Sequence, residues 1–150
     1  MTLVLQLPGT SAGIEEPLIT VGRPGTATFV YIRLLSDARA RVGIEFWGAS
    51  ATESAPFKLP SQDAQITLTT SFPALFPGVG APEWKMVSEP AQRRLLSRYV
   101  IAVEGVVRLK GSVSYNEPPH SPVYIGKNPI GGSFVSDFFT GKVLTHWREY

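Results

Sequence analysis

The residues of this chain with the clearest potential for acid–base chemistry are its glutamates. Two carboxylates about 5–9 Å apart can cleave a glycosidic bond, one as acid and the other as base or nucleophile. Glu45 stands in a strand-like stretch, but Phe46, Trp47 and Gly48 follow it. Glu53 comes after Gly48 and is not expected to face Glu45. The spacing therefore predicts no catalytic carboxylate pair, and a glycan-cleaving enzyme that uses Glu45 is the least favoured function.

The two histidines form no recognisable catalytic or metal-binding motif. A polysaccharide lyase would need a histidine and a tyrosine in one cleft, and the chain offers His120 and His146 with Tyr115 and Tyr124. No local pattern holds them together, and neither histidine has a partner at the spacing of a zinc site. His120 is expected in a solvated loop and His146 on the surface of the last strand. The absence of cysteine excludes disulfides and thiolate metal sites.

The glycine-rich segment Gly126–Gly132 has a superficial likeness to a phosphate-binding loop. It lacks the lysine–hydroxyl pair and the following helix that such loops need. Its glycines are expected to supply positive φ angles, and Asn128 begins a turn before Pro129. The alternative interpretation is that Asn128, Ser133 and Asp137 line a ligand-binding rim.

Short strands must position all of these residues, because a two-residue hydrophobic period dominates the chain. Hydrophobic residues make up 43% of the 150 residues, and 14 glycines and 13 prolines are spread without a period. The predicted strands are Thr2–Leu7, Pro17–Val21, Thr26–Leu35, Ala40–Trp47, Phe57–Leu59, Gln65–Thr70, Glu83–Val87, Tyr99–Glu104, Val106–Lys110, Val123–Gly126 and Thr140–Arg148. Ser88–Ser97 is the only helix candidate. These elements predict an all-β antiparallel β-sandwich, with residues 1–150 as a single domain that a larger protein could contain.

The strands Thr26–Leu35 and Ala40–Trp47 form the clearest predicted hairpin. Their aliphatic residues are expected to face the core, so that the alternate residues point away from it. Those alternate residues are Phe29, Tyr31, Arg33, Glu45 and Trp47. A three-residue turn is expected to place Tyr31 opposite Glu45 and Phe29 opposite Trp47. Aromatic rings beside a guanidinium and a carboxylate suit a sugar ligand; the alternative is that a loop or second sheet covers this face.

Three segments near the end of the chain resemble concanavalin A-like and laminin G-like jelly-roll domains. They are Tyr99–Gly105, where a strand ends in an acid and a glycine, Val123–Gly126, and Phe139–Gly141 before the last strand. The chain is also similar to domains of uncharacterised bacterial envelope-associated proteins, through Glu16–Gly22 and Glu45–Gly48. The jelly-roll resemblance implies recognition of carbohydrate or protein more often than catalysis.

The same resemblance raises the question of calcium, because laminin G-like domains often hold this ion at a rim through carboxylates and carbonyls. Only Asp137 lies in the corresponding loop, so no cofactor is expected and calcium stays an alternative. Glu104 also departs from the pattern, since these domains more often have aspartate before the glycine.

Charge and hydropathy exclude two classes of partner. The formal net charge is only +2, and the cations are scattered apart from Arg93, Arg94 and Arg98, so nucleic acid is not expected. No apolar run reaches the roughly 20 residues of a membrane-spanning helix, so direct membrane insertion is not expected either. The compartment is unknown, although a place outside the cytoplasm, within a larger protein, is favoured.

The sequence thus predicts a non-catalytic module that binds carbohydrate or acts in adhesion. Its expected ligand-binding side chains are Tyr31, Arg33, Glu45, Trp47, Asn128 and Asp137. The alternative is a structural or protein-interaction domain of a larger envelope protein, with contacts through exposed apolar residues of Phe72–Pro82. Burial distinguishes the two functions, because a sugar platform must be open to solvent.

Overall fold

Eleven β-strands and one α-helix form the regular structure in the part of the chain that the computed structural model describes, residues 1–10, 13–47, 49–77, 81–84, 86–114 and 121–148. The strands are β1 (Thr2–Gln6), β2 (Glu15–Arg23), β3 (Thr26–Leu35), β4 (Arg39–Phe46), β5 (Ser50–Glu53), β6 (Phe57–Lys58), β7 (Gln65–Ser71), β8 (Arg98–Val103), β9 (Val106–Ser112), β10 (Val123–Ile125) and β11 (Lys142–Trp147). The helix α1 spans Glu89–Leu95, and short 3-10 helices span Pro73–Leu75 and Pro82–Trp84.

The strands form two antiparallel sheets that pack face to face. The first sheet has the order β11-β1-β7-β8-β9, and the second has the order β10-β2-β3-β4-β5, with β6 paired to β4. Alternate side chains of each strand point inwards, so that Leu3 and Ile101 of the first sheet share one apolar core with Ile32 and Ile44 of the second. The predicted all-β sandwich is confirmed.

The β3–β4 hairpin has a register two residues away from the expected one. Asp37 and Ala38 both adopt positive φ angles, of 59° and 49°, in the turn between the strands. The resulting pairs include Leu35–Arg39, Tyr31–Gly43 and Phe29–Glu45. The expected pairs, Tyr31 with Glu45 and Phe29 with Trp47, are therefore wrong, because the turn closes earlier along β4. As a result, the large ring of Tyr31 faces a residue without a side chain.

The β8–β9 hairpin turns at Glu104 and Gly105, as expected. Their φ angles are 52° and 73°, the left-handed conformation that a two-residue hairpin turn needs at both positions. Glycine adopts this conformation freely, whereas Glu104 is supported by hydrogen bonds to its neighbour strand. Its carboxylate accepts a bond from the Thr67 N–H, and its own N–H donates to the Thr67 carbonyl at 2.9 Å.

Two expectations about the sandwich ends are wrong. The predicted strand Glu83–Val87 is replaced by the 3-10 helix that begins at Pro82, whose missing N–H disfavours a sheet ladder. Phe72 and Leu75, expected on an exposed loop, are only 0% and 2% exposed and belong to the core. They lie three residues apart around a 3-10 helix, and residues at this spacing point to the same side.

Candidate functional site

The second sheet brings the predicted aromatic and charged side chains to its outer face. Tyr31 and Arg33 of β3 lie on the side opposite the core residues, as does Glu45 of β4. Trp47 follows β4 and donates its N–H to the Ala27 carbonyl at 2.9 Å, which continues the ladder. The sequence pattern therefore grouped these four side chains correctly.

Residues 127–138, which we call the closing loop, cover this face. Val135 is 3% exposed and packs with Phe29 and Tyr31 in a small apolar cluster separate from the main core. Phe29 and Tyr31 are 0% and 1% exposed. The face is thus covered by a loop, the alternative to an open sugar platform.

Phe134 and Gly132 complete the cover. The Phe134 ring meets the Tyr31 ring edge-on, with 5.5 Å between their centroids and an angle of 84° between their planes. Gly132 lies so close to the Trp47 indole that an added Cβ would overlap the ring. Trp47 in turn stacks on Phe29 with centroids 6.0 Å apart. These contacts use the aromatic surfaces that a sugar would need.

Asn128 shapes the closing loop from within. It is 4% exposed, and its Oδ1 accepts hydrogen bonds from the N–H groups of Ile130 and Gly131 at 3.2 Å. Its Nδ2 donates to the Val135 carbonyl at 3.2 Å, and its N–H donates to the Asp137 carbonyl at 2.8 Å. The Asp137 side chain is exposed and makes no hydrogen bond or ion pair with the described residues. Of these two predicted rim residues, only Asp137 is open to solvent.

Glu53 lies on the same face as Glu45, contrary to expectation. β5 pairs with β4 so that Glu53 stands opposite Gly43, one diagonal step from Glu45. The expectation was wrong because β5, which the sequence did not predict, folds this carboxylate back over β4. Arg33 forms an ion pair with Glu53 at 3.0 Å, and Arg41 approaches it at 3.5 Å. The Glu53 carboxylate is therefore engaged in ion pairs, as is the predicted ligand-binding guanidinium of Arg33.

Burial raises the pKa of the Tyr31 hydroxyl far above its ordinary value of 10.0. The carboxylates of Glu53 and Glu15 raise this pKa further, because they repel a phenolate, while the Arg33 guanidinium opposes them. Tyr31 is consequently a neutral phenol at physiological pH.

Among the residues that the structure describes, histidines and carboxylates do not assemble into a metal centre. His146 is exposed on β11, where it pairs with Leu3, and His120 and Tyr115 lie outside the described residues. Within the described ranges, no group of three or more histidine, aspartate or glutamate side chains could hold a metal ion. No helix in the same ranges is long and apolar enough to span a membrane.

A groove beside α1 combines an apolar pocket with a narrower polar one. The apolar pocket has a volume of about 280 Å³ and is lined by Phe76, Pro77, Glu83, Trp84, Met86, Val87 and Leu95. The narrower pocket, of about 90 Å³, shares Phe76, Pro77 and Glu83 and adds Ala74, Ser121, Val123 and Arg148. The two pockets share three lining residues, so they adjoin the same wall, and we treat them together. We call the pair the Trp84 groove.

Trp84 is fixed in this groove by a hydrogen bond and a stacking contact. Its indole Nε1–H donates to the Pro77 carbonyl at 3.1 Å. Its ring stacks on Phe76 with centroids 5.7 Å apart and planes at 29°. Only 7% of Trp84 is exposed.

The helix α1 supplies the wall of the groove that carries Leu95. Gln92 ties the helix to the preceding segment, because its Nε2 donates to the Val87 carbonyl at 2.7 Å. Arg93 faces solvent and pairs with Glu89, one turn earlier, at 2.6 Å. The predicted short helix is confirmed.

Met86 and Glu83 are the exposed members of the groove. Met86 is 95% exposed, and Glu83 makes no hydrogen bond or ion pair with the described residues. The apolar composition of Phe72–Pro82 pointed to this region, but Met86 and Leu95 come from later segments that only the fold brings together. The groove therefore could not be predicted from the sequence pattern.

The chain matches no protein-family model, no curated protein and no solved structure.

Proposed function

We propose that the chain is a non-catalytic protein-interaction domain that binds an extended segment of a partner protein in the Trp84 groove. The observation that carries this proposal is the apolar pocket bordered by Met86, which is 95% exposed. Binding pockets are concave and mostly apolar, with few polar groups. Methionine is flexible and polarizable, which suits it to contact a partner side chain.

The chemistry of the groove specifies the segment. Trp84, Phe76 and Leu95 offer a pocket for one bulky apolar side chain. Glu83 lines both parts of the groove and has no cation paired with it among the described residues. A lysine or arginine beside the apolar residue would complement this carboxylate. The occupant is therefore a peptide segment in which a bulky apolar residue neighbours a basic one.

Three observations support a non-catalytic role for the charged outer face of the second sheet. The Glu45 carboxylate accepts a hydrogen bond from the Ser133 hydroxyl of the closing loop. Glu53 is engaged by Arg33 and Arg41, and Tyr31 is held neutral by burial. General acid–base chemistry needs groups within hydrogen-bond distance of a substrate. Here the Glu45 and Glu53 carboxylates contact other side chains of the protein.

The jelly-roll relationship is part of the same proposal. It is supported by the antiparallel sandwich and by the closing order of the β8–β9 hairpin, β10 and β11. A place within a larger envelope protein would supply the partner segment.

Glycan binding is the second candidate, and Phe134 is the observation that favours it. This ring is 50% exposed and borders a depression of about 260 Å³ with Glu45 and Ala51. An exposed aromatic ring beside a carboxylate can hold a sugar, although the ring belongs to the closing loop and not to the sheet. A glycan array should then show binding that is lost in Phe134→Ala and kept in Asp137→Ala.

Peptide selection tests the leading proposal. A display library of random linear 12-residue peptides should yield sequences with an apolar residue next to lysine or arginine. Their affinity, measured by fluorescence anisotropy, should fall about tenfold in Met86→Asp and in Glu83→Lys. Both positions are exposed, so the fold should persist. Val107→Asp, at a 52% exposed position on β9, is the matched control and should bind normally. Failure to select peptides, or equal loss in the control, would contradict the proposal.

A further inference from the structure

A second cavity opens between the two sheets where β5 and β9 form their edges. Its volume is about 340 Å³. The second sheet contributes Phe46, Ser50 and Thr52 to its lining, and the first sheet and the segment after it contribute Tyr99, Ser112 and Ser114. None of these residues belongs to the Trp84 groove. The cavity therefore stands apart from the surface on which the proposed function rests.

Tyr99 reaches this cavity because a glycine lies beneath its ring. Tyr99 pairs with Gly111 of β9, and an added Cβ at Gly111 would lie within 2.8 Å of the tyrosine ring. The ring can consequently cross the strand. Tyr99 is only 7% exposed, yet its hydroxyl makes no hydrogen bond with any residue in the described ranges. Since Tyr99 lines the cavity, this hydroxyl is available to a molecule bound there.

The other residues that line the cavity indicate the shape and charge of the molecule that it could bind. Phe46 is 4% exposed and meets Tyr99 with ring centroids 5.7 Å apart, which gives the cavity an aromatic side. Ser50, Thr52 and Ser112 supply hydroxyl groups at the strand edges. No described residue that lines the cavity is charged. A charged ligand would lose hydration here without gaining a counter-charge.

We propose that this cavity binds a small uncharged molecule, which lays an apolar ring against Phe46 and accepts a hydrogen bond from the Tyr99 hydroxyl. The serine and threonine hydroxyls then meet its polar substituents. Gly111 acts as a positioning residue, because it lets the Tyr99 hydroxyl reach the ligand. This site is independent of peptide binding, and either can fail without the other.

Benzamide and benzoate provide matched probes, since they have nearly the same shape and differ in charge. Titration of the full chain with benzamide, followed by amide NMR, should give saturable shifts at Thr52, Gly111 and Ser112. Benzoate should bind at least about tenfold more weakly, because its carboxylate has no counter-charge in the cavity. Absence of saturable shifts, shifts confined to other regions, or equal affinity for the two probes would overturn the proposal without any variant being made.

Tyr99→Phe tests the hydrogen bond itself, because it removes one oxygen and leaves the ring. Benzamide affinity should fall about fivefold, the effect of one hydrogen bond. The melting temperature should stay close to that of the parent chain. Equal benzamide affinity in a Tyr99→Phe protein of native stability would show that the hydroxyl is not the contact, and would overturn the assignment.

Discussion

The ring of Tyr31 lies across Gly43, the residue that it faces on the neighbouring strand. An added Cβ on Gly43 would come within 2.6 Å of the tyrosine Cε2. The closing loop presses on the other side of the ring through Phe134 and Val135. Tyr31 is thus held between a strand and a loop, which fixes the outer layer of the second sheet.

Gly43→Ala should therefore destabilise the fold by about 2 kcal/mol, although alanine normally suits a strand better than glycine does. Urea unfolding measures the change. In a Tyr31→Val background the shorter side chain no longer crosses Gly43, so the same substitution should have little effect or be stabilising. An equal loss in both backgrounds would mean that the ring is not the obstacle.

Stability should also fall at alkaline pH because of Tyr31. Its folded pKa lies above the unfolded value of about 10, so the unfolded chain releases the proton first. The contribution of the neutral Tyr31 hydroxyl to the free energy of unfolding is fully present below pH about 10 and is lost as the pH rises beyond that value. Tyr31→Phe has no proton to release and should show a smaller loss between about pH 9 and 11. Parallel curves for the two proteins would contradict the burial of this hydroxyl.

Trp47→Ala should affect stability rather than glycan binding. The indole packs against Phe29 and beneath Gly132, so its removal should lower the free energy of unfolding by about 2 kcal/mol. Trp147, which is 42% exposed on β11, provides the control, and Trp147→Ala should change it by less than about 1 kcal/mol. The prediction fails if the two substitutions have the same effect, or if glycan binding depends on Trp47 at unchanged stability.

Substitutions of Asn128 and Asp137 should also differ in their effect on stability. Asn128→Ala leaves the N–H groups of Ile130 and Gly131 without their acceptor and should lower stability by about 2 kcal/mol. Asp137→Ala removes an exposed carboxylate that makes no hydrogen bond or ion pair with the described residues, and its effect should stay within about 0.5 kcal/mol. Thermal unfolding of the two variants separates these outcomes. A larger loss of stability in Asp137→Ala than in Asn128→Ala would contradict the assignment of Asn128 as the residue that stabilises the closing loop.

The sequence predicted the sandwich and the grouping of Tyr31, Arg33, Glu45 and Trp47, because a strand's two-residue period decides which side chains share a face. It could not predict what covers that face. Whether a glycine-rich loop folds over a sheet depends on contacts such as that of Val135 with Tyr31, between segments far apart in the chain.

The position of Glu53 was predicted wrongly because the strand that carries it was not recognised. β5 is four residues long, polar and largely exposed, so it carries no hydrophobic alternation from which a strand could be predicted. The Trp84 groove was not predicted because Phe76, Trp84 and Leu95 come from three separate segments of the chain. Only their packing makes a pocket.

The indole N–H signals of the three tryptophans give the most direct test of the peptide-binding groove. Trp84 lines the groove, whereas Trp47 lies beneath the closing loop and Trp147 on β11. Titration with a selected apolar–basic peptide should shift the Trp84 signal, whose N–H donates to Pro77, and leave the other two in place. A peptide that binds but shifts only the Trp47 or Trp147 signal would contradict the assignment of the Trp84 groove as the interaction site.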